Sequence, residues 1–463
     1  MGTSNQRTPG LNEQNQARTP ETTKMLAWIM VFFSYILIML PAALGVLYVR
    51  EFGISVVHGD AWAVVPLFDK WSSGTLQVSD LWDQHNSHRM LFPNIVYLLL
   101  GSVTRYDNVA EMFLIQGCFL VTLVVLLLAF RDNVKIQSSR LFLFVPVALL
   151  IFSLRQYKNM LFGFQINFAF AQVFGVLALF LLYLLGRRIG FGKLAFVAAL
   201  ASATVASYSV LPGLFVWPAG LLQLFLGPLE KPQKRAFIVL WGLVGTSVWV
   251  VYFIGWVEPD SSSLLYTLQH PLQATHYYLN LLGSALFWRP NSALIGGLLL
   301  VCLVLAGLFL IYGDGRLGEY SFWVSLLLYS LLMLGAITVG RSELGPDQAV
   351  IAKRYAPFPI LAVVGVYVML VKAALERRSI VSTLLAAALS GAILLSSFIS
   401  YPEGIDKGRK ERAAMEKQAF VLSTYEYQSD EALNESFRQG ADMVRERAPV
   451  LQRLRYNVFS EEP

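Results

Sequence analysis

The residues best suited to chemistry lie between positions 58 and 94, in the stretch HGDAWAVVPLFDKWSSGTLQVSDLWDQHNSHRMLFPN. Asp60 follows Gly59 and precedes the apolar, helix-compatible run 61–68. A carboxylate at a membrane–water boundary is partly desolvated, which moves its pKa from ~3.9 toward the range of a general base. Gly-Asp ahead of an apolar run also caps helices, and the residue types alone weigh the two readings about equally. Downstream come Asp80, Asp83, His85, His88 and Arg89. Asp83, His85 and His88 mix carboxylate with imidazole, a donor set that a divalent ion accepts. Their D-x-H-x-x-H spacing is loose, however, and interfacial hydrogen bonding is the commoner fate of such histidines. The cations outside this stretch are Arg155 and Lys158, near Asn159 and Gln165, then Arg341, and then Lys353 and Arg354 before Tyr355. Guanidinium and ammonium groups at such places either snorkel from helix ends or hold phosphate.

The elements that must position these residues are membrane spans. Of 463 residues, 56% are hydrophobic and only 14% charged, and the mean hydropathy is +0.56, outside the soluble range. Crossing a bilayer takes ~20 apolar residues. The pattern predicts an all-α polytopic membrane protein of about eleven spans, near 25–49, 108–130, 141–154, 166–186, 194–209, 210–226, 236–256, 291–312, 321–339, 356–375 and 380–400. The split around Ser207–Gly213 is the weakest of these boundaries. Residues 1–24 are polar and read as a disordered tail. The membrane domain covers 25–400, with juxtamembrane helices in a long first loop, 50–107, and residues 401–463 form a helical tail. Within that tail, 443–454 reads as one amphipathic helix. Cys118 and Cys302 lie in apolar segments and read as small packing residues. The net charge of +6 comes largely from residues flanking spans, which argues for orientation in a membrane and not for nucleic acid.

Lys and Arg counts orient the chain. Arg7, Arg18 and Lys24 place the N-terminus in the cytoplasm. The segment 91–103 is apolar but short, and contains Pro93 and Asn94. If it does not cross, the basic loops with Arg131, Lys135 and Arg140, with Arg187, Arg188 and Lys193, and with Lys231, Lys234 and Arg235 all become cytoplasmic. The C-terminal tail then lies outside with all five histidines, the acidic first loop, and the segments around Arg155 and Lys353. A shared extracytoplasmic site explains that one-sidedness. Tyr157, Tyr277, Tyr278 and Trp288 read as belt aromatics.

The Gly59-Asp60 pair, the loop from Asp80 to Asn94, and Arg354-Tyr355 before a late span resemble the GT-C superfamily of integral-membrane glycosyltransferases. Protein O-mannosyltransferases and lipid A aminoarabinose transferases belong to it. The likeness covers most of the membrane region as architecture. It departs in detail: Asp60 is followed by Ala61 and not by a second acid, and QHNSHRMLFPN stands where a lysine-proline-proline stretch would be expected. The resemblance implies transfer of a sugar from a polyprenyl-phosphate donor to a glycan, lipid or protein acceptor hydroxyl, with inversion, at the outer face of a bacterial inner membrane. It casts Asp60 as the base and Arg354, with Lys353, Arg341 or Lys158, as phosphate holders. Asp83, His85, His88, Arg89, Gln165 and Tyr355 would contact substrate or a divalent metal ion. The rival readings are a secondary transporter and a flippase or polymerase of lipid-linked glycans. Transporters place charges and broken helices near the bilayer midplane, whereas these spans carry few charges.

Overall fold

The computed structural model describes residues 21–134, 138–185, 187, 192–259, 264–313, 315–377 and 379–460. The expected disordered tail falls mostly outside these residues, although 21–24 already belong to the first helix, Glu21–Phe52. Lys135, Arg188 and Arg378 also lie outside them. The architecture is all-α. Among the described residues the only strands are Gln84–His85 and His88–Arg89, a hairpin that sets His85 opposite His88.

Among the described residues nine helices are long and apolar enough to cross a membrane, and the chain is a multi-pass integral membrane protein. Apolar on all faces, they satisfy their backbone polar groups internally, as a bilayer requires. Burial sorts them. Pro357–Glu376 is 89% buried and forms the bundle centre, whereas Lys231–Phe253 at 22% and Trp28–Phe52 at 28% lie at its periphery. The third expected span, short in the sequence, runs over Arg140–Met160. It is completed by one-turn segments that bring Arg155 and Lys158 to the bundle end. Cys118 packs inside, but Cys302 is exposed on a helix flank, so only the first fits the packing expectation.

Two shorter apolar helices occupy the weakest expected boundary. Gly192–Ser207 ends where Tyr208 and Leu211 meet the first loop, through the Phe92 amide and the His88 ring. Leu211–Leu226 then returns, and Gln223 donates to Ser321 at the opposite end of the bundle. Gly213 permits the reversal: a Cβ there would meet the Ala206 carbonyl oxygen at 1.9 Å.

The helix Leu91–Thr104 is shorter than the nine long ones, and the C-terminal tail meets the chain on both sides of it. Asn457 in the C-terminal tail donates its backbone N–H to the Arg105 carbonyl, and Arg447 in the same tail donates to the Trp62 carbonyl. Both flanks of Leu91–Thr104 therefore lie on one side, as its 14 residues would suggest.

In the tail, the chain continues the last span unbroken from Ile380 to Ser423 as a 44-residue helix, past the expected end at 400. It then folds back through Asp430–Ser436 and Ala441–Leu454. Val444 and Leu451 are fully buried, as the amphipathic pattern predicts.

Candidate functional site

Asp60 sits in the first turn of a 3-10 helix, Gly59–Val64, entered directly from the first span. The N-cap is His58, and its side chain makes no capping bond. Asp60 itself forms no hydrogen bond or ion pair with the described residues, so the capping role open in the sequence is not the one it fills. Its half-buried carboxylate is uncommitted. Gly59 makes this possible with φ +52°, and a Cβ there would lie 3.3 Å from the Phe162 ring. The turn is fixed from below by Tyr106, whose hydroxyl donates to the Ala61 carbonyl at 3.1 Å. From above, Arg447 donates to the Trp62 carbonyl at 2.7 Å.

Two histidines, His58 and His85, lie within electrostatic reach of this carboxylate, and His88 stands across the hairpin from His85. His58 donates from Nδ1 to the Val56 carbonyl at 3.0 Å and stacks on Phe162 at 4.4 Å. His85 meets Phe164 edge-on at 5.2 Å, and its buried Nε2 has no partner. His88 takes the Leu211 amide on Nδ1 at 3.4 Å. Burial pushes all three pKa values down, that of His88 to about 3, with Arg341, His85 and Arg354 adding to the effect. The histidines are therefore neutral at neutral pH. Asp60 acts electrostatically on His58, His85 and Arg354, which places them in one neighbourhood.

Two cavities flank the His85–His88 hairpin. The larger, of ≈ 460 Å³, is lined mainly by apolar side chains, among them Phe168, Leu211, Trp249 and Ile337, with His88, Glu258, Arg341 and Tyr355 as its polar members. It is a mainly apolar cavity in the size range of ligand pockets. The smaller, of ≈ 180 Å³, sets Lys70, Asp80, Asp83, His85 and Asn94 against apolar residues such as Leu67, Met90 and Phe164.

The candidates separate accordingly. Arg341 and Arg354 come together: both act on His88 and on Tyr277. Arg354 also donates to the Tyr355 hydroxyl at 3.2 Å. Lys158 and Lys353 do not join them. Lys158 pairs with Glu411 of the long last helix at 2.5 Å, and Lys353 lies 4.6 Å from the Trp288 ring centroid. Arg89 is a structural pin, with its guanidinium donating to the carbonyls of Trp82, Tyr252 and Ile254. Gln165 is buried, with its side-chain oxygen unpaired. Asp80 pairs with Lys70 at 2.6 Å. Asp83 shares the smaller cavity with His85, while His88 lines the larger one. Among the described residues no three His, Cys, Asp or Glu side chains converge to hold a cation. The donor set does not fit a divalent ion, and no step below uses one.

Four further residues take part that the sequence does not mark: Tyr277, Phe162, Phe164 and Asn457. Tyr277 is buried beside the paired arginines and is not a belt residue. Phe162 and Phe164 stack beneath the histidines. Asn457, near the far end of the chain, accepts from the Val57 amide and donates to Asn108, Tyr106 and Ser55. In the segment 155–165 the polar residues stand out in the sequence, but nothing in it marks its phenylalanines.

A protein of Archaeoglobus fulgidus described as uncharacterized is 25% identical over 209 residues, 42% of this chain and 52% of that protein. The chain thus spans about half the length of the curated relative it matches. No protein-family model and no solved structure matches the chain.

Proposed function

We propose that this chain is a GT-C-type membrane glycosyltransferase using a polyprenyl-phosphate sugar at the outer face of the cell membrane. The observation that carries the reading is the uncommitted Asp60 carboxylate, within electrostatic reach of Arg354, whose hydrogen-bond partner Tyr355 lines the larger, mainly apolar cavity together with Arg341. In this reading the two shorter helices also cross, making eleven spans, with the N-terminus cytoplasmic and the first loop and C-terminal tail outside. The cavity takes the first units of the lipid chain. Arg341 and Arg354 hold the phosphate, and Lys158 and Lys353 have other roles.

Asp60 removes the proton from the acceptor hydroxyl as its oxygen attacks the anomeric carbon. The bond between that carbon and the phosphate oxygen breaks, and polyprenyl phosphate leaves as a stable anion. No general acid is needed, so one carboxylate suffices where inverting glycosidases use two. The smaller cavity, with Asp83, His85 and Asn94, offers the sugar or acceptor its hydrogen-bonding partners.

A transporter would place its helix break near the midplane. Here the break at Tyr208–Leu211 contacts Phe92 and His88 of the first loop, at the bundle end. The test uses purified protein in lipid nanodiscs with a panel of polyprenyl-phosphate sugars, and mass spectrometry of released polyprenyl phosphate. Asp60→Asn is expected to lower turnover ~100-fold or more while donor binding persists. Equal turnover in both proteins would remove Asp60 from the mechanism, and no turnover with any donor would remove the transferase.

A further inference from the structure

A second group of cations lies beyond the Arg341–Arg354 pair, and its hydrogen-bond donors are not satisfied. Arg155 ends a span, Trp288 precedes the helix Pro290–Tyr312, and Lys353 precedes the helix Pro357–Arg377. All three therefore sit at one level, where the bundle meets the membrane boundary. The Arg155 guanidinium lies 4.8 Å from the Trp288 ring centroid and the Lys353 ammonium 4.6 Å from the same centroid. Arg155 is 1% exposed. Its Nε donates to the Ser284 carbonyl at 2.8 Å, but Nη1 and Nη2 have no partner among the described residues, and neither does the buried Trp288 Nε1. Lys353 makes no ion pair with a described residue. The carboxylate that acts on both cations is Glu403, exposed on the last helix and accompanied by Lys407.

Buried donors without acceptors are costly, and buried unpaired cations more so. Contact with one indole face offsets only part of that cost. Three kinds of N–H donor and two positive charges call for a compact oxyanion that supplies several acceptors at once. Burial lowers the Lys353 pKa to about 7, with Arg155 opposing the charge further. A bound anion would restore that charge. The group is separate from the paired arginines: the electrostatic neighbours of Lys353 are Arg155, Glu403 and Lys407, whereas those of Arg354 are Tyr355, Asp60 and Tyr277.

We infer that Arg155, Lys353 and Trp288 form a second phosphate-binding site, which takes the headgroup phosphate of an anionic membrane lipid. The level of the cluster at the ends of three spans favours a lipid over a soluble ligand. The inference holds whether or not the chain transfers sugars.

Native mass spectrometry of the full chain, released from phosphatidylcholine nanodiscs containing phosphatidic acid, would count retained phosphatidic acid. The measurement is repeated in an Arg354→Gln background, so that lipid held by the paired arginines is counted apart. Lys353→Gln is expected to weaken retention about tenfold, equivalent to ~1.4 kcal/mol. Trp288→Phe keeps an aromatic face but loses the indole N–H with its five-membered ring, and should weaken retention about threefold. Arg289→Gln removes an exposed boundary cation next in sequence to Trp288 and should change nothing. Thermal unfolding of each variant verifies folding. Wild-type retention in both Lys353→Gln and Trp288→Phe would overturn the site, as would equal loss in Arg289→Gln. Loss of all retention in the Arg354→Gln background would overturn its separateness. Competition by inorganic phosphate as effective as by phosphatidic acid would uphold the phosphate chemistry and overturn the lipid source.

Discussion

Asp60 depends on the glycine before it. Gly59 has a left-handed φ that costs a side-chain-bearing residue ~1–2 kcal/mol, and its Cα faces the Phe162 ring. Gly59→Ala is therefore expected to destabilise the protein by about 1 kcal/mol. It should also lower turnover by more than that loss explains, because the turn aims the carboxylate; thermal unfolding beside an activity assay separates the two. The neutral histidines add a pH dependence. His88 titrates near 6.5 when unfolded and about 3 when folded. Between those values the unfolded chain binds a proton that the fold does not, so stability rises with pH and falls on acidification through this window. His88→Gln removes that contribution. Its melting temperature should fall less steeply than wild type's between pH 6.5 and pH 4, and parallel slopes would contradict the assignment.

At the scale of elements, the tail beyond residue 423 works as a clamp on the first loop. The Asn457 side chain joins Val57, Tyr106 and Asn108, which flank the two ends of that loop. Phe437 packs edge-on against Trp62 at 5.9 Å, and Tyr456 against Phe68 at 5.1 Å. Asn457→Ala would leave the Val57 amide and two acceptors buried without their partner, at roughly 1–3 kcal/mol each before relaxation. A net loss of about 3 kcal/mol is expected, read as a lower melting temperature. Turnover should fall with it, since residues 57–62 carry Asp60. A melting temperature unchanged from wild type would mean that the tail only rests on the loop.

At the scale of the molecule, a mainly apolar cavity lies between the helix Lys231–Phe253, the helix Ser321–Arg341 and the turn at Leu211–Phe215. Ala336 lines it, so Ala336→Trp puts a large side chain into that space and leaves Asp60, Arg341 and Arg354 unsubstituted. In the proposed reading, donor affinity drops at least tenfold and the smaller cavity's ligand is unaffected. Titration with donors of increasing chain length checks this, and an unchanged affinity would move the lipid elsewhere.

The nine long spans, the short Leu91–Thr104 helix and the amphipathic tail helix were legible because each is a local property. Burial of a whole helix or of one face writes itself into composition and periodicity. Even the reversal at residues 208–213 left a trace in its glycine and prolines. Partnership is not local. Lys353 and Arg354 are adjacent in sequence, yet the 3-10 turn Lys353–Tyr355 sends one toward Trp288 and the other toward Asp60. Lys158 reads as a phosphate holder until the last helix brings Glu411 to it. Asn457 lies 400 residues from the amide it holds. The sequence by itself determined that this is an all-helical membrane protein with its ionisable residues gathered in loops, because the bilayer constrains each span independently. Only the tertiary structure decided which of those residues are committed to neighbours and which remain free, because that depends on contacts between segments far apart in the chain.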